Sequence, residues 1–294
     1  MIFRDIMNDW QPQFPILSPY TPPTLFAKAG IVLIGLRLDK VMSDRWFDKV
    51  MCDRYRVILQ ILPLWVEKDK IHIPLDEEEL WDDTGHQILL EYKLHDPLLT
   101  DFVDGQKKWG VEDADGSKFN REKARRLAIL EKAFECAHQR FGVVLKEDVR
   151  LSDVLRLIDS VSVLGISGMR KVLELKLALA YYFVNKDLIG QMKREIEEVE
   201  KEVSHAGRNV SGNPSMEEWK TDLYRRMEDR EAFMQQVDRN LALRKISGLK
   251  SIHISDDVDL SQISRKADTG YVPDYVELRQ ALLRRIKHFF GLDK

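Results

Sequence analysis

Hydrophobic positions recur along this chain in three rhythms. In the front third the apolar runs are short and dense. Gly30 to Leu38, Arg56 to Leu62 and His86 to Leu94 are rich in branched or aromatic residues and short enough for strands. Prolines crowd the same region, and Pro19, Pro22 and Pro23 make an extended lead-in to the first strand, since prolines at this density forbid long helices. Periodicity leaves one alternative open, in which Arg56 to Leu62 continues a helix from Asp44.

From Asn120 the rhythm turns helical. Asn120 is an N-cap candidate for a helix running toward Phe141, with Gly142 as its stop. Ser152 to Leu164 is amphipathic, and Met169 to Val184, capped by Ser167, is apolar on nearly every side, as a central buried helix would be. Residues 251–273 show no helical period, and a final helix is expected at about 274–290 with Tyr275, Leu278, Leu282, Ile286 and Phe289 on one face.

The third rhythm spans about residues 187–246, where two charge-laced segments carry one thin seam each. The first seam is Leu188, Met192, Ile196, Val199 and Val203; the second is Trp219, Leu223, Met227, Met234, Val237 and Leu241, with Arg230 out of type. Between them lies a polar break, Gly207 to Ser215, and Ser215 with Glu218 makes a capping box. The spacing predicts an antiparallel helical hairpin arm that closes its own seam. The fold class expected is therefore α+β: a Trp/Pro-rich mixed-sheet domain at 1–112, then a mainly helical domain at 113–294 that carries the arm.

Charge narrows the function classes. Residues 1–120 hold 14 Lys+Arg against 21 Asp+Glu, and the remainder 32 against 28, so neither part has the basic excess of a phosphate-neutralising protein. Nucleic acid is a disfavoured partner and a protein the expected one. With just Cys52 and Cys136 and no CxxC, a disulfide framework or thiolate zinc site is not expected, and a reducing cytoplasm fits best. No apolar run approaches the roughly 18 residues of a membrane span. The N-terminus lacks the pattern of a signal peptide.

Candidate chemistry is sparse. Glu91-Tyr92-Lys93 would put an acid and a lysine on one face of a strand, and Pro74-Leu75-Asp76 stands about 15 residues upstream. This stretch of about 20 residues resembles the PD-(D/E)xK nucleases. The resemblance implies Asp76 and Glu91 as ligands of a divalent cation, Asp82 or Asp83 as a substitute first ligand, and Lys93 as the residue that orients water. His72, His86 and His95 lie near Asp82, Asp83 and Asp96 without HxH or HxxxH spacing, so no metal site is assigned there. Asp256-Asp257-Val258-Asp259 lacks the Gly and Glu of a calcium loop and reads as helix-capping acids.

The leading expectation is a non-enzymatic protein without a cofactor that binds another macromolecule, of the inhibitor, immunity-protein or accessory-subunit kind. The metal-dependent nuclease is the alternative. Arg225, Arg226 and Arg230 cluster within two turns of the second arm helix and are the candidate binding residues, since Arg is enriched where interfaces carry their energy.

Overall fold

A computed structural model describes residues 7–41, 52–71, 76–79, 89–93, 117–160, 165–205 and 214–258. Its strands are β1 (Ser18–Pro19), β2 (Thr24–Ala29), β3 (Val32–Val41), β4 (Cys52–Pro63), β5 (Asp76–Glu79), β6 (Leu89–Lys93), β7 (Asp148–Arg150) and β8 (Ser251–Ser255). Besides short helical turns at 7–10 and Lys68–Lys70, its helices are α1 (Ser117–Phe141), α2 (Leu151–Ser160), α3 (Gly165–Phe183), α4 (Lys186–His205), α5 (Met216–Glu228), α6 (Arg230–Leu241) and α7 (Arg244–Ser247). The α+β class expected from the sequence is the one observed.

The sheet runs β5-β4-β3-β2-β8-β7, with β1 also on β2 and β6 also on β4. Antiparallel pairing dominates its front part. Strand β3 meets β4 from Val32↔Pro63 to Val41↔Arg54, so Arg56 to Leu62 is a strand and not the tail of a helix. Consecutive residues are buried along β2, β3 and β4, including Phe26 and Ala27, Leu33 and Ile34, and Leu59 through Ile61. Both sheet faces are therefore covered there, which is why these runs lack a polar alternation. The β2–β3 hairpin turns on Gly30 and Ile31. Gly30 holds φ 58°, and glycine at the first central position suits a type II′ turn. Gly35 lets the strands close, since a Cβ there would stand 1.9 Å from the Leu25 carbonyl oxygen.

Strand β8 lies parallel to β2 and to β7, pairing Lys28 with Ser251 and Asp148 with His253. The stretches assigned to a front and a back domain thus meet in one sheet, and their buried side chains belong to one apolar cluster. The expected boundary at 112/113 lies outside the described residues, as does the helix expected at 274–290.

Several helix starts differ from expectation. α1 begins at Ser117, before the expected Asn120 cap, and α3 begins at Gly165, so Ser167 lies inside its first turn. Helix α3 is the buried centre that its apolar surface required, with Leu173, Leu175, Leu177 and Leu179 all inaccessible. Helices α4 and α5 are antiparallel, as Lys193–Glu228 and Lys220–Glu200 ion pairs show. They are not, however, a free-standing arm. Arg170 of α3 donates to the Pro214 carbonyl and packs over Trp219, and both seams lie in the common cluster. A thin seam closes on α3 as well as on its partner helix because the chain offers that third apolar surface. The reversal itself falls outside the described residues.

Of the acids expected to cap helices, Asp257 does so, whereas Asp256 accepts from the Asn185 side chain and the Val258 amide and caps none directly. Asp257 accepts from the Ser152 amide at 2.9 Å and from its hydroxyl at 2.6 Å, at the start of α2. Asn185, which caps α4 by accepting from the Leu188 amide, donates to Asp256 and to the Val258 carbonyl.

Candidate binding site

The second charged segment is two helices. Asp229 leaves the helical region at ψ 74°, and its carboxylate accepts from the Ala232 amide, capping α6. Arg230, the residue that broke the expected seam, stands immediately past this elbow. After it the buried positions become Phe233, Val237 and Asn240, so Met234 is half-buried and no longer central. The capping box at the other end of α5 is present as expected, with Ser215 Oγ accepting from the Glu218 amide at 3.1 Å.

The elbow makes a cavity of about 270 Å³ lined by Trp65, Arg225, Arg226, Asp229, Ala232, Phe233 and Gln236. Trp65 and Phe233 lie 6.1 Å apart between ring centroids and supply its apolar part. Glu174 of α3 organises the far wall: its Oε1 accepts from Trp65 Nε1 at 3.3 Å and from Arg226 at 3.2 Å. Burial works against the Arg226 charge, but Glu174 and Asp222 outweigh it and hold the guanidinium above its ordinary pKa. Gln236 donates to the Val66 carbonyl and so cannot swing freely into the cavity.

The three arginines singled out from the sequence therefore have different tasks. Arg226 ties α5 to α3. Arg230 donates to the Tyr181 carbonyl at 2.6 Å, at the end of α3. Arg225 bonds Asp222 at 2.6 Å, and its side chain is 78% exposed against 38% for Arg226; Arg230 is exposed too, but its guanidinium is committed to the Tyr181 carbonyl. The Arg225 hydrogen bond is also the main reason that the Asp222 carboxyl stays below its usual pKa. Arg225 and Arg226 face Asp222, Glu174 and Asp229, so the rim has no basic excess, which does not suit a polyanion.

Beside Arg230, α3 ends in a Schellman turn. The Val184 amide donates to Tyr181 and the Asn185 amide to Ala180, at 3.2 and 3.1 Å. Val184 occupies the left-handed position at φ 57° and is 54% exposed. A β-branched residue is strained there, where glycine is usual. Neither Val184 nor Glu174, Phe233 and Gln236 was marked by the sequence pattern. Arg230 out of seam was the visible sign that the helix breaks.

Asp76 and Glu91 are not brought together. Asp76 stands opposite Ile61 of β4, whereas Glu91 stands opposite Arg54, with Lys93 opposite Cys52. Asp76 and Glu91 therefore sit end to end on one edge of β4, seven positions or roughly 23 Å apart at about 3.3 Å per residue. A shared cation needs both carboxylates within about 2.6 Å of it. Asp82, Asp83, Asp96, His72, His86 and His95 lie outside the described residues. Among the described residues no three metal-ligating side chains come together, and no helix is long and apolar enough to cross a membrane.

No protein-family model, curated protein or solved structure matches the chain.

Proposed function

We propose that this chain is a non-catalytic, soluble cytoplasmic protein that binds another protein, as an inhibitor, immunity-type protein or accessory subunit does, and that the α5–α6 elbow is its recognition site. One observation carries the reading: a cavity with Trp65 and Phe233 in its wall opens beside Arg225, an arginine that lines the cavity and keeps its side chain 78% exposed. Aromatic residues and arginine are the side chains in which interface energy concentrates. The volume, about 270 Å³, falls just under the roughly 300–1,000 Å³ of small-molecule sites and suits an anchor side chain from a partner. Strained, exposed Val184 lies on the turn that follows Tyr181, whose carbonyl Arg230 binds.

The partner is identified by placing a photo-crosslinking residue at position 225 and, as a control, at exposed Lys146, each in the full-length chain expressed in its own cells. The proposal expects one protein to be cross-linked from 225 and absent from 146. Equal cross-linking from both positions, or none from 225, contradicts it.

A further inference from the structure

The core of the helical layer holds a cluster of charge that the binding reading does not use. Lys176 of α3 reaches Asp159 of α2 at 3.0 Å and both carboxylate oxygens of Glu195 of α4, at 2.9 and 3.2 Å. All three side chains have 0% exposure. Along the three helices they are interleaved with buried Leu155, Val172, Leu173, Leu179, Met192 and Val199. Burying charge in such surroundings is costly unless it is balanced. One ammonium balances one carboxylate, so with both acids ionised this group of three carries a net negative charge.

The two acids are not equivalent. Both oxygens of Glu195 are engaged by the ammonium. Asp159 offers Oδ1 alone, and its Oδ2 is a buried oxygen that meets no hydrogen-bond partner. We propose that the proton which neutralises the cluster resides on Asp159 Oδ2, so that the folded chain keeps an uncharged carboxyl in its core and loses stability when a rise in pH removes it. Asp159, Lys176 and Glu195 are the titratable groups that face one another here from α2, α3 and α4 among the described residues. Burial raises the Asp159 pKa, Glu195 adds to the rise and Lys176 opposes it without cancelling it.

The sign follows from proton linkage. A carboxyl whose folded pKa lies above its unfolded value near ~3.9 binds more proton in the folded state. Its contribution is full below the unfolded value and is lost as pH rises through the folded one. This is opposite to an ordinary salt-bridged aspartate.

The test compares urea unfolding of the wild-type chain and Asp159→Asn across pH ~4 to 9. Asparagine keeps an acceptor for Lys176 but has nothing to ionise. The wild-type folding constant is expected to fall relative to the variant by about tenfold per pH unit between the unfolded and folded pKa, then level off. Parallel curves overturn the proposal. Should Asp159→Asn not fold, the ¹³C carboxyl shift of Asp159 in the wild-type chain decides. A midpoint above the ordinary aspartate value supports the assignment, and one at or below it overturns it. Glu195→Gln adds a readout that a merely structural role would not move. It leaves Asp159 as the ammonium's carboxylate partner in the cluster, so the Asp159 midpoint should drop, and an unchanged midpoint counts against the shared proton.

Discussion

Val184 is the residue at which local preference and tertiary structure disagree most. Left-handed backbone at a non-glycine costs on the order of 1–3 kcal/mol, and a β-branched side chain lies toward the upper part of that range. Glycine would relieve the strain while losing roughly 0.5–1 kcal/mol to its greater freedom when unfolded. Val184→Gly should therefore raise stability by about 1 kcal/mol in urea denaturation, and a loss of stability would mean that the turn is not strained as described. Asn240 presents the converse case, a polar residue whose burial is satisfied. Its amide donates to the Leu64 and Val66 carbonyls at 2.8 Å each, and Gln236 also serves Val66. Asn240→Leu should cost about 2 kcal/mol, chiefly from the stranded Leu64 carbonyl. A change below about 0.5 kcal/mol would contradict that accounting. None of this was legible in the sequence. The arginine cluster was visible there, but the acceptors of Arg226 and Arg230, Glu174 and the Tyr181 carbonyl, lie about 50 residues upstream, and charge patterning sees only neighbours.

At the scale of elements, legibility followed how much of the burial each element decides for itself. The β3 and β4 runs are covered on both faces and announced themselves by density of branched residues. The seams of α4 and α5 predicted antiparallel helices, and the capping box marked where α5 starts. What the seams could not reveal is the third surface that closes them, because the apolar periphery of α3 is read as burial without saying against what. The kink at Asp229 needed the side chain that caps α6, and Arg230 breaking the seam was its trace. β8 was overlooked although Ser251-Ile-His-Ile-Ser255 alternates, with Ile252 and Ile254 buried and its serines exposed. Five residues of alternation carry little weight against the coil around them, and parallel pairing with β2 and β7 is a long-range event. The nuclease spacing meets the same limit. Spacing along the chain set Asp76 and Glu91 15 residues apart, while pairing to a common strand set them end to end.

For the whole molecule, the parallel β8 and the bonds from α6 to the segment after β4 give the sheet and the helices a shared fate. Five of the six tryptophans lie in the first 112 residues, whereas α1 to α7 lie beyond them. Tryptophan fluorescence and the far-ultraviolet helix signal should therefore lose structure at the same denaturant concentration. Two separated midpoints would favour independent front and back domains. The functional reading belongs to this scale as well, because the elbow cavity takes Trp65 from the front of the chain and its remaining lining from α5 and α6, with Glu174 of α3 behind. Arg225 can be altered at little expense to the fold, since an exposed pair such as Arg225–Asp222 contributes under about 1 kcal/mol. Its role in recognition and its role in stability are therefore separable. The decisive measurement is the affinity of the cross-linked partner for the wild-type chain and for Arg225→Glu, with Lys146→Glu as control and unfolding midpoints measured alongside. Binding at the elbow predicts at least a tenfold weaker Kd for Arg225→Glu, an unchanged Kd for Lys146→Glu and closely similar midpoints. An Arg225→Glu chain that binds as tightly as the wild type would contradict it.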